Sequence, residues 1–329
     1  MLYTHLTPFE RGKIELLVRS GWPRRRIADE MKRNPSTISR EVKRSSDRRG
    51  RYQALTAQLA YQARRTRCVK PRKLEQHPRL RAYVCEKICE QWSPDEIACT
   101  LRLDFPRDRS MRISHETIYT FVYADKRQNG TLYTHLRQSH RKRRRRQNTY
   151  TKRGLFPGRV GIEQRPKIVD TRRRVGDWEG DLVHGRQGAP AILTLVERKH
   201  GYLLAHKVDN KRAYTVGRAF LKAFRCVPDQ LLKTITLDNG NEFADFKTIE
   251  KDLETNIYFA DPYCAWQRGT NENTNGLLRQ YIPKKTDLHA LTQSDLNHIV
   301  EKLNNRPRKR LNYRTPAQLF QKATGALQL

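Results

Sequence analysis

The sequence predicts a multidomain chain in which an all-α N-terminal half precedes a C-terminal α/β domain built on a mixed five-stranded sheet. Helix caps followed by apolar residues at helical spacing recur up to about residue 125. A block of like charges follows, and strand-length apolar runs separated by turn residues begin near residue 167. We therefore expect five segments, with the boundaries 1–47, 48–90, 91–125, 126–160 and 161–329.

The composition favours a polyanionic partner. The 329 residues include 67 Lys and Arg against 34 Asp and Glu, a formal net charge of +33. Because these cations repel one another, and because each phosphate contact releases a condensed counterion, nucleic acid is the partner that we expect. An anionic membrane surface is the alternative, but the charge is spread along the chain rather than gathered on one amphipathic helix.

Membrane spans, secretion signals and zinc sites are not expected. No stretch approaches the ~20 apolar residues that a bilayer span requires. The N-terminus has no apolar segment followed by a cleavage site of small residues. The six cysteines form no CxxC pair, so we expect reduced thiols in a cytoplasmic protein.

Residues 1–47 have the pattern of a helix-turn-helix unit with three short helices. Thr7 and Glu10 form a predicted capping box at the first helix, and Asn34 followed by Pro35 starts the third. A small bundle with a solvated basic face is the alternative. The residues expected to read bases are Ser36, Thr37, Ser39 and Arg40, and those expected at phosphates are Lys43 and Arg44.

Residues 91–125 form a second predicted unit of the same kind. Ser93 and Glu96 make another capping box, and Ser114 starts the candidate base-reading helix. A dimerisation or spacer role is the alternative, because the connector between these helices is long for the motif. The candidate DNA contacts in the first turn of the reading helix are His115 and Thr117.

Two basic segments join these units. Residues 48–90 contain alanines at helical spacing and predict a helical connector. Residues 126–160 contain the like-charge block 141–146, which predicts a flexible arm that follows DNA phosphates. A merely solvated linker is the alternative for this arm.

The C-terminal segment alternates between strand and helix patterns. Turn residues separate the first three strands, so we expect these strands to be antiparallel neighbours. Three antiparallel strands followed by helix, strand, helix, strand and helix are typical of a ribonuclease-H-like fold. The predicted strands are 177–183, 191–197, 202–207, 234–237 and 257–260, and the predicted helices are 213–224, 246–253 and 270–281.

Carboxylates are placed in this segment where we expect exposed side chains at a sheet edge. Asp177, Glu179 and Asp181 share one face of the first strand because strand side chains alternate. Asp238 directly follows the fourth strand, and Glu272 lies at the start of the last helix. Clustered carboxylates repel one another unless a cation neutralises them, which indicates a divalent metal. Oxygen ligands without His or Cys suit Mg2+ or Mn2+.

Three segments resemble the catalytic blocks of insertion-sequence transposases, specifically the insertion-sequence thirty family, and more distantly those of retroviral integrases. They are GDWEGDL at 176–182, LDNGNEF at 237–243 and RGTNENTNG at 268–276. The spacing between Asp238 and Glu272 matches that family. Gln267 departs from it, because an acid is common there. Segments near both ends of the chain are also similar to the family, so the resemblance covers nearly the whole sequence.

This resemblance implies a transposase with an aspartate-aspartate-glutamate site formed by Asp181, Asp238 and Glu272. The pattern Trp-x-x-Asp selects Asp181 in the first strand, which leaves Asp177 and Glu179 in supporting roles. A direct contribution of Glu179 stays as the alternative. We hypothesise that Asp181 bridges two Mg2+ ions, replaceable by Mn2+, while Asp238 and Glu272 hold one each.

The implied reaction begins with binding of the terminal inverted repeats of a mobile element. The enzyme then cleaves the DNA ends and joins the 3′-hydroxyl to target DNA. We expect at least a dimer on DNA, in the bacterial cytoplasm and at the nucleoid when bound. A regulator with an inactive C-terminal domain and a nuclease for RNA–DNA hybrids are the rival functions. Further DNA contacts are expected in the predicted helix 270–281 and just before it, at Arg268, Asn275 and Arg279.

Overall fold

The computed structural model describes residues 4–68, 72–137, 157–186, 190–262 and 264–325. The chain divides into two compact units, Met1–Gln76 and His77–Leu329. The finer division into five segments stays a prediction, and the charged block 141–146 lies outside the described residues. None of the described helices combines the length and the apolar character needed to cross a membrane.

The first unit is all-α, as predicted. Its helices are α1 (Pro8–Arg19), α2 (Arg24–Glu30), α3 (Pro35–Ser45), α4 (Ala54–Cys68) and α5 (Lys73–Gln76). Thr7 caps α1 through the full capping box with Glu10, and the Asn34 side chain accepts a hydrogen bond from the Ser36 amide at the start of α3. Both predicted helix starts are therefore confirmed. Apolar residues of α1 to α4 form one buried core.

A buried ion pair holds α3 in this unit. The Arg11 Nε atom lies 2.8 Å from the Glu41 Oε1 atom, and both side chains are almost inaccessible to solvent. Arg11 also donates to the Leu6 carbonyl and to the Gln58 side chain. One guanidinium thus connects α1, α3 and α4 and fixes the orientation of α3. The sequence pattern gave no sign of it, since Arg11 looks like one of many surface cations.

The second unit begins with three helices, α6 (Pro78–Cys89), α7 (Pro94–Asp104) and α8 (His115–Arg127). Ser93 forms the predicted capping box with Glu96, and the Ser114 side chain accepts a hydrogen bond from the Thr117 amide. Helix α6 belongs to this unit, although the sequence pattern assigned its residues to a connector. Buried Leu80, Val84 and Ile88 explain its inclusion, because they give α6 an apolar face.

The rest of the unit is built on a five-stranded mixed sheet. Its strands are β1 (Asp177–His184), β2 (Ala191–Glu197), β3 (Leu203–Val208), β4 (Thr234–Leu237) and β5 (Asn256–Phe259). The order is β3-β2-β1-β4-β5, with β1, β2 and β3 antiparallel and with β4 and β5 parallel to β1. The predicted ribonuclease-H-like mixed five-stranded sheet is confirmed.

Helices cover both faces of this sheet. The remaining helices are α9 (Ile168–Thr171), α10 (Ala213–Phe224), α11 (Phe246–Asp252), α12 (Gly269–Tyr281), α13 (Gln293–Asn304) and α14 (Pro316–Gly325). Leu193 and Leu195 of β2 pack with α10 and α11, whereas Ile192 and Val196 pack with α12 and α13. Strand alternation thus sends neighbouring β2 residues into two cores, and every β2 residue is buried.

The helices α6 to α8 are attached to the sheet domain by charged and polar contacts. Arg306, which follows α13, is only 2% exposed, and its Nη2 atom lies 2.9 Å from Glu96 Oε2 in the first turn of α7. The Tyr313 hydroxyl donates to Asp95 at 2.9 Å, and the Tyr281 hydroxyl donates to the Glu90 carbonyl at 3.0 Å. These contacts set α7 and the end of α6 in a defined position relative to α12, and α8 packs against α7.

Candidate active site

Asp181 lies in β1, and Asp238 directly follows β4, the parallel neighbour of β1. The β1–β4 register pairs Asp177 with Thr234 and Glu179 with Thr236. Asp181 follows Glu179 by two residues and Asp238 follows Thr236 by two residues, and one guanidinium contacts both carboxylates. Neighbouring strands lie only about 4.8 Å apart, so the sheet itself holds the two carboxylates close together. We call these two residues the aspartate pair.

The Arg268 guanidinium bridges the aspartate pair. Its Nη2 atom lies 3.1 Å from Asp238 Oδ2, and its Nη1 atom lies 3.5 Å from Asp181 Oδ1. Nη1 also donates to the Gly180 carbonyl at 3.1 Å. Arg268 is expected from the sequence to contact DNA, but here its charge is directed into the site.

The electrostatics of Asp181 reflect this crowding. Burial raises the pKa of the Asp181 carboxyl above its ordinary value, and the nearby Asp238 carboxylate raises it further. The Arg268 guanidinium acts in the opposite direction and lowers the Asp181 pKa. The site therefore concentrates negative charge and partly offsets it with one cation from its own chain.

One face of α12, extended by the residue before it, is directed at the end of β1. This candidate catalytic face consists of Arg268, Glu272, Asn275 and Arg279, which are spaced by three or four residues and therefore share one side of the helix. Asn275 Nδ2 donates to Asp181 Oδ2 at 2.8 Å, and Arg279 Nη2 donates to the His184 carbonyl at 2.6 Å. The Glu272 side chain is exposed between them.

The structure thus assembles part of the predicted triad. The aspartate pair is in place, and Glu272 belongs to the helix face that contacts Asp181. In the described part of the chain, no three His, Cys, Asp or Glu side chains are grouped as a metal site. The Glu272 carboxylate is therefore not grouped with the aspartate pair in this structure, and the catalytic triad stays a prediction.

Glu179 holds the first turn of α12 in position. Its side chain is fully buried, and Oε2 accepts a hydrogen bond of 2.8 Å from the Asn271 backbone amide in the first turn of that helix. A carboxylate there satisfies an amide that has no partner within the helix and favours the positive end of the helix dipole. Arg198 Nη1 lies 3.1 Å from Glu179 Oε1 and balances its charge.

The expectation of exposed acids along β1 is wrong for Asp177 and Glu179. Both side chains are buried, because helices cover both faces of the sheet and supply partners for them. Arg174 and the Thr234 hydroxyl bind the Asp177 carboxylate. Only Asp181 of the three retains solvent access, with 30% of its side chain exposed.

The loops around the pair are fixed by amide side chains. Asn239, directly after Asp238, donates from Nδ2 to the Ala260 carbonyl at 2.6 Å and so ties the β4 turn to the end of β5. Gln267 accepts from the Asp261 amide at 2.7 Å and donates to the Asp261 carboxylate at 2.8 Å. An acid at position 267 could accept from that amide but would repel the Asp261 carboxylate, so the glutamine suits this chain.

The donor set of this site fits a divalent cation. Two carboxylates are already close enough to share one guanidinium, so a metal ion could take the place of that cation. Asn275 Oδ1 is buried and has no hydrogen-bond partner among the described residues, although its amide nitrogen is bonded to Asp181. These oxygen donors match the ligand preference of Mg2+ and Mn2+.

The candidate DNA-reading residues lie on accessible surfaces of two helices. In α3, Ser36, Arg40 and Lys43 are exposed and Thr37 and Ser39 are half-buried, while Ile38 and Val42 face the core. In α8, His115 is exposed, and Thr117 is half-buried and contributes to the helix cap. No partner in the structure tests these assignments, so they stay predictions.

Sequence reasoning missed the roles of Arg268 and Arg306 in the site and its support, whereas it gave Glu179 a supporting role without naming its partner. Arg268 and Asn275 lie four residues before and three residues after Glu272, so helical spacing alone could have placed them together. The pairing of Arg306 with Glu96 left no such signal, because the two residues are far apart in sequence.

Comparisons with known proteins identify relatives of this chain. The family described as a helix-turn-helix domain matches residues 3–45. The transposase of insertion sequence element IS4351 from Bacteroides fragilis is 39% identical, covering 96% of this chain and 95% of its own. Transposase InsI of element IS30A from Escherichia coli is 41% identical over 97% of this chain and 84% of its own length. The IS1086 transposase of Cupriavidus metallidurans is 38% identical over 97% and 94%.

Among solved structures, the catalytic core domain of BIV integrase aligns with 47% of this chain and all of its own, at 18% identity and a TM-score of 0.38. The transposases match nearly the whole chain at well above 30% identity, and their alignments span both compact units. The chain therefore belongs to the IS30 family of insertion-sequence transposases.

Proposed function

We propose that this transposase binds the terminal inverted repeats of its element, cleaves the DNA ends and joins the freed 3′-hydroxyl to target DNA. The observation that supports it best is the aspartate pair, which shares the Arg268 guanidinium beside the candidate catalytic face of α12. A regulator without catalysis would not need two carboxylates that repel each other at a partly accessible position. The names of the relatives, transposases of insertion sequences, support the same reaction.

In this proposal the triad holds divalent cations. Asp181 would hold two Mg2+ ions, replaceable by Mn2+, while Asp238 and Glu272 would hold one each. When bound, the ions would supply activation of the attacking oxygen and neutralisation of the leaving oxygen. Asn275 orients the Asp181 carboxylate through its 2.8 Å hydrogen bond. Glu179 holds the first turn of α12, and with it Glu272, in place.

DNA recognition is assigned to α3 and α8. The residues proposed to contact DNA at α3 are Ser36, Thr37, Ser39, Arg40 and Lys43, and those at α8 are His115 and Thr117. Arg268, Asn275 and Arg279 are proposed to meet the DNA strand next to the scissile phosphate. Because two element ends must be brought together, at least a dimer is proposed on DNA, acting in the cytoplasm at the nucleoid.

Nicking of terminal-repeat DNA tests the proposal. The full chain is incubated with Mg2+ or Mn2+ and a duplex that carries the DNA flanking the coding region. We expect nicks at the element end with wild type, none with Asp238→Ala, and unchanged duplex binding by that variant. The matched control is Asp252→Asn, an exposed aspartate of α11, which should cleave like wild type. Binding without cleavage by wild type under either ion would favour the regulator, and preference for an RNA–DNA hybrid would favour the nuclease.

A further inference from the structure

A cavity of about 480 Å³ lies between α8 and the loop that carries Arg306. Its volume is within the roughly 300–1,000 Å³ of typical small-ligand sites. Aromatic rings and cations line it, and no carboxylate is found among its described lining residues. The residues that matter here are Tyr119, Tyr123, Lys126, Tyr133, Arg137 and Arg306.

Two of the rings belong to the candidate DNA-reading helix. Tyr119 and Tyr123 are one turn apart on α8, with ring planes 17° apart and centroids separated by 6.3 Å. Tyr123 is 50% exposed, so much of this ring is not used for packing. A half-exposed ring that lies nearly parallel to a neighbouring ring offers a surface on which a flat partner can stack.

The cations are positioned for a phosphate next to such a partner. Lys126 Nζ lies 4.2 Å from the centroid of the Tyr133 ring, so a positive charge and an aromatic face are side by side. Arg306 is held at the cavity by Glu96, which fixes that wall. Rings together with cations suit a nucleotide, because a phosphate backbone alone would need only the cations.

The cavity adjoins α12. Arg137 lines the cavity and also donates from Nη2 to Asn273 Oδ1 at 3.3 Å, and Asn273 directly follows Glu272 on α12. A side chain added at position 276 would place its Cβ atom 3.0 Å from the same Nη2 atom. Because Gly276 has no Cβ atom, the Arg137 guanidinium can approach α12 closely. A nucleotide in the cavity would therefore be next to the helix that carries Glu272.

We propose that this cavity receives one unstacked nucleotide of the DNA strand that is cut, with its base on Tyr123 and its phosphate beside Lys126. The proposal rests on the function proposed above, because it requires DNA at the candidate catalytic face of α12. A base inside a duplex cannot reach a cavity wall, so the nucleotide must leave the stack. Capturing it would hold the DNA end in register with the active site.

Binding of short single strands tests the cavity. The full-length protein is titrated with fluorescently labelled oligothymidylate and with an abasic oligonucleotide of the same length and charge, and anisotropy is recorded. We expect wild type to bind oligothymidylate about tenfold more tightly than the abasic strand, the size of one base–aromatic stacking contact. Tyr123→Ala should bind both strands equally, whereas Tyr123→Phe should keep the discrimination. Tyr214→Ala, at another exposed tyrosine of the same unit, is the matched control and should behave like wild type.

Equal affinity of wild type for the two strands would overturn the proposal, as would Tyr123→Ala with unchanged discrimination.

A second measurement applies permanganate, which oxidises unstacked thymines, to terminal-repeat duplex bound by the protein. Enhanced reactivity next to the nick site is expected with wild type and with Tyr214→Ala and is lost with Tyr123→Ala; no enhancement with wild type contradicts the proposal. Wild-type protein that nicks this duplex without any base discrimination refutes the cavity assignment alone. Wild-type protein that does not nick refutes the proposed function.

Discussion

Arg268 Nη2 lies 3.1 Å from Asp238 Oδ2, and the same guanidinium reaches Asp181. A cation from the chain itself thus contacts two carboxylates, one in β1 and one directly after the neighbouring strand β4. The first prediction concerns removal of the Arg268 charge. In EDTA, Arg268→Gln should lower the unfolding free energy by about 1–2 kcal/mol, because the aspartate pair loses its counter-ion at a partly buried site.

Added Mg2+ should restore most of the stability lost by Arg268→Gln, since the ion replaces the missing charge. Thermal unfolding with and without Mg2+ measures both effects. Arg225→Gln, at an exposed arginine, is the control and should melt like wild type in either buffer. Equal Mg2+-induced shifts for all three proteins would contradict the assigned role of Arg268.

The second prediction separates the two possible roles of Glu179. If this residue positions α12, Glu179→Gln should keep Mn2+ affinity near that of wild type but cost about 2–3 kcal/mol in unfolding free energy, because buried Arg198 loses the nearer of its two charged partners, Glu179 and Asp170. Isothermal titration with Mn2+ and urea unfolding provide the two measurements. Loss of Mn2+ binding by a variant of normal stability would instead make Glu179 a direct ligand.

The third prediction concerns the attachment of α7 and α8. Arg306→Gln should destabilise the second unit by about 3–5 kcal/mol, because it leaves the Glu96 carboxylate without its buried partner. A double-mutant cycle with Glu96→Gln, followed by urea unfolding, measures the coupling. Lys309→Ala, which removes an exposed contact with Asp95, is the control and should change stability by less than about 1 kcal/mol. Coupling near zero between Arg306 and Glu96 would refute the assignment.

The fourth prediction distinguishes base reading from phosphate contact on α3. Lys43→Ala should weaken binding of all duplex sequences alike. It should also reduce the slope of log Kd against log salt concentration by the amount that about one phosphate contact contributes. Arg40→Ala should lower the preference for terminal-repeat DNA over unrelated DNA, by about 1–3 kcal/mol if it reads a base directly. Titrations of both duplexes at several salt concentrations measure the two effects. The assignments would be exchanged if Lys43→Ala alone changed the sequence preference.

The fifth prediction concerns pH. His200 is 8% exposed, and its burial, with Lys199 and Arg310 nearby, lowers its pKa from 6.5 to about 4. Between these values the unfolded chain binds a proton that the folded chain does not. Stability is therefore lost as pH falls through this window, by up to about 3 kcal/mol. His200→Gln should show a flatter dependence of unfolding free energy on pH from 7 to 4.5, whereas His298→Gln, at an exposed position, should follow wild type.

Sequence patterns predicted most of the fold, because the signals were local. The capping residues Thr7, Ser93 and Ser114 marked helix starts correctly, and the turn residues bounded the strands to within a residue or two. The resemblance selected Asp181 among the three acids of β1, and burial of Asp177 and Glu179 now explains why they differ from it.

Interactions between distant segments could not be predicted in the same way. Arg11 with Glu41, Glu179 with the α12 amide, and Arg306 with Glu96 each join elements whose separation in sequence carries no periodic signal. In a chain with 67 basic residues, a buried structural arginine is indistinguishable by pattern from a DNA-contacting one. Only the packed structure distinguishes the two.

The most direct test of the active site is the location of Mn2+ in a crystal of the full chain bound to terminal-repeat DNA. Anomalous scattering at the manganese edge identifies the ions without reference to the protein. We predict manganese peaks ligated by Asp181, Asp238 and Glu272 together, with Arg268 displaced from between the aspartates. Peaks elsewhere, or a Glu272 carboxylate directed away from an occupied aspartate pair, would contradict the assigned catalytic triad.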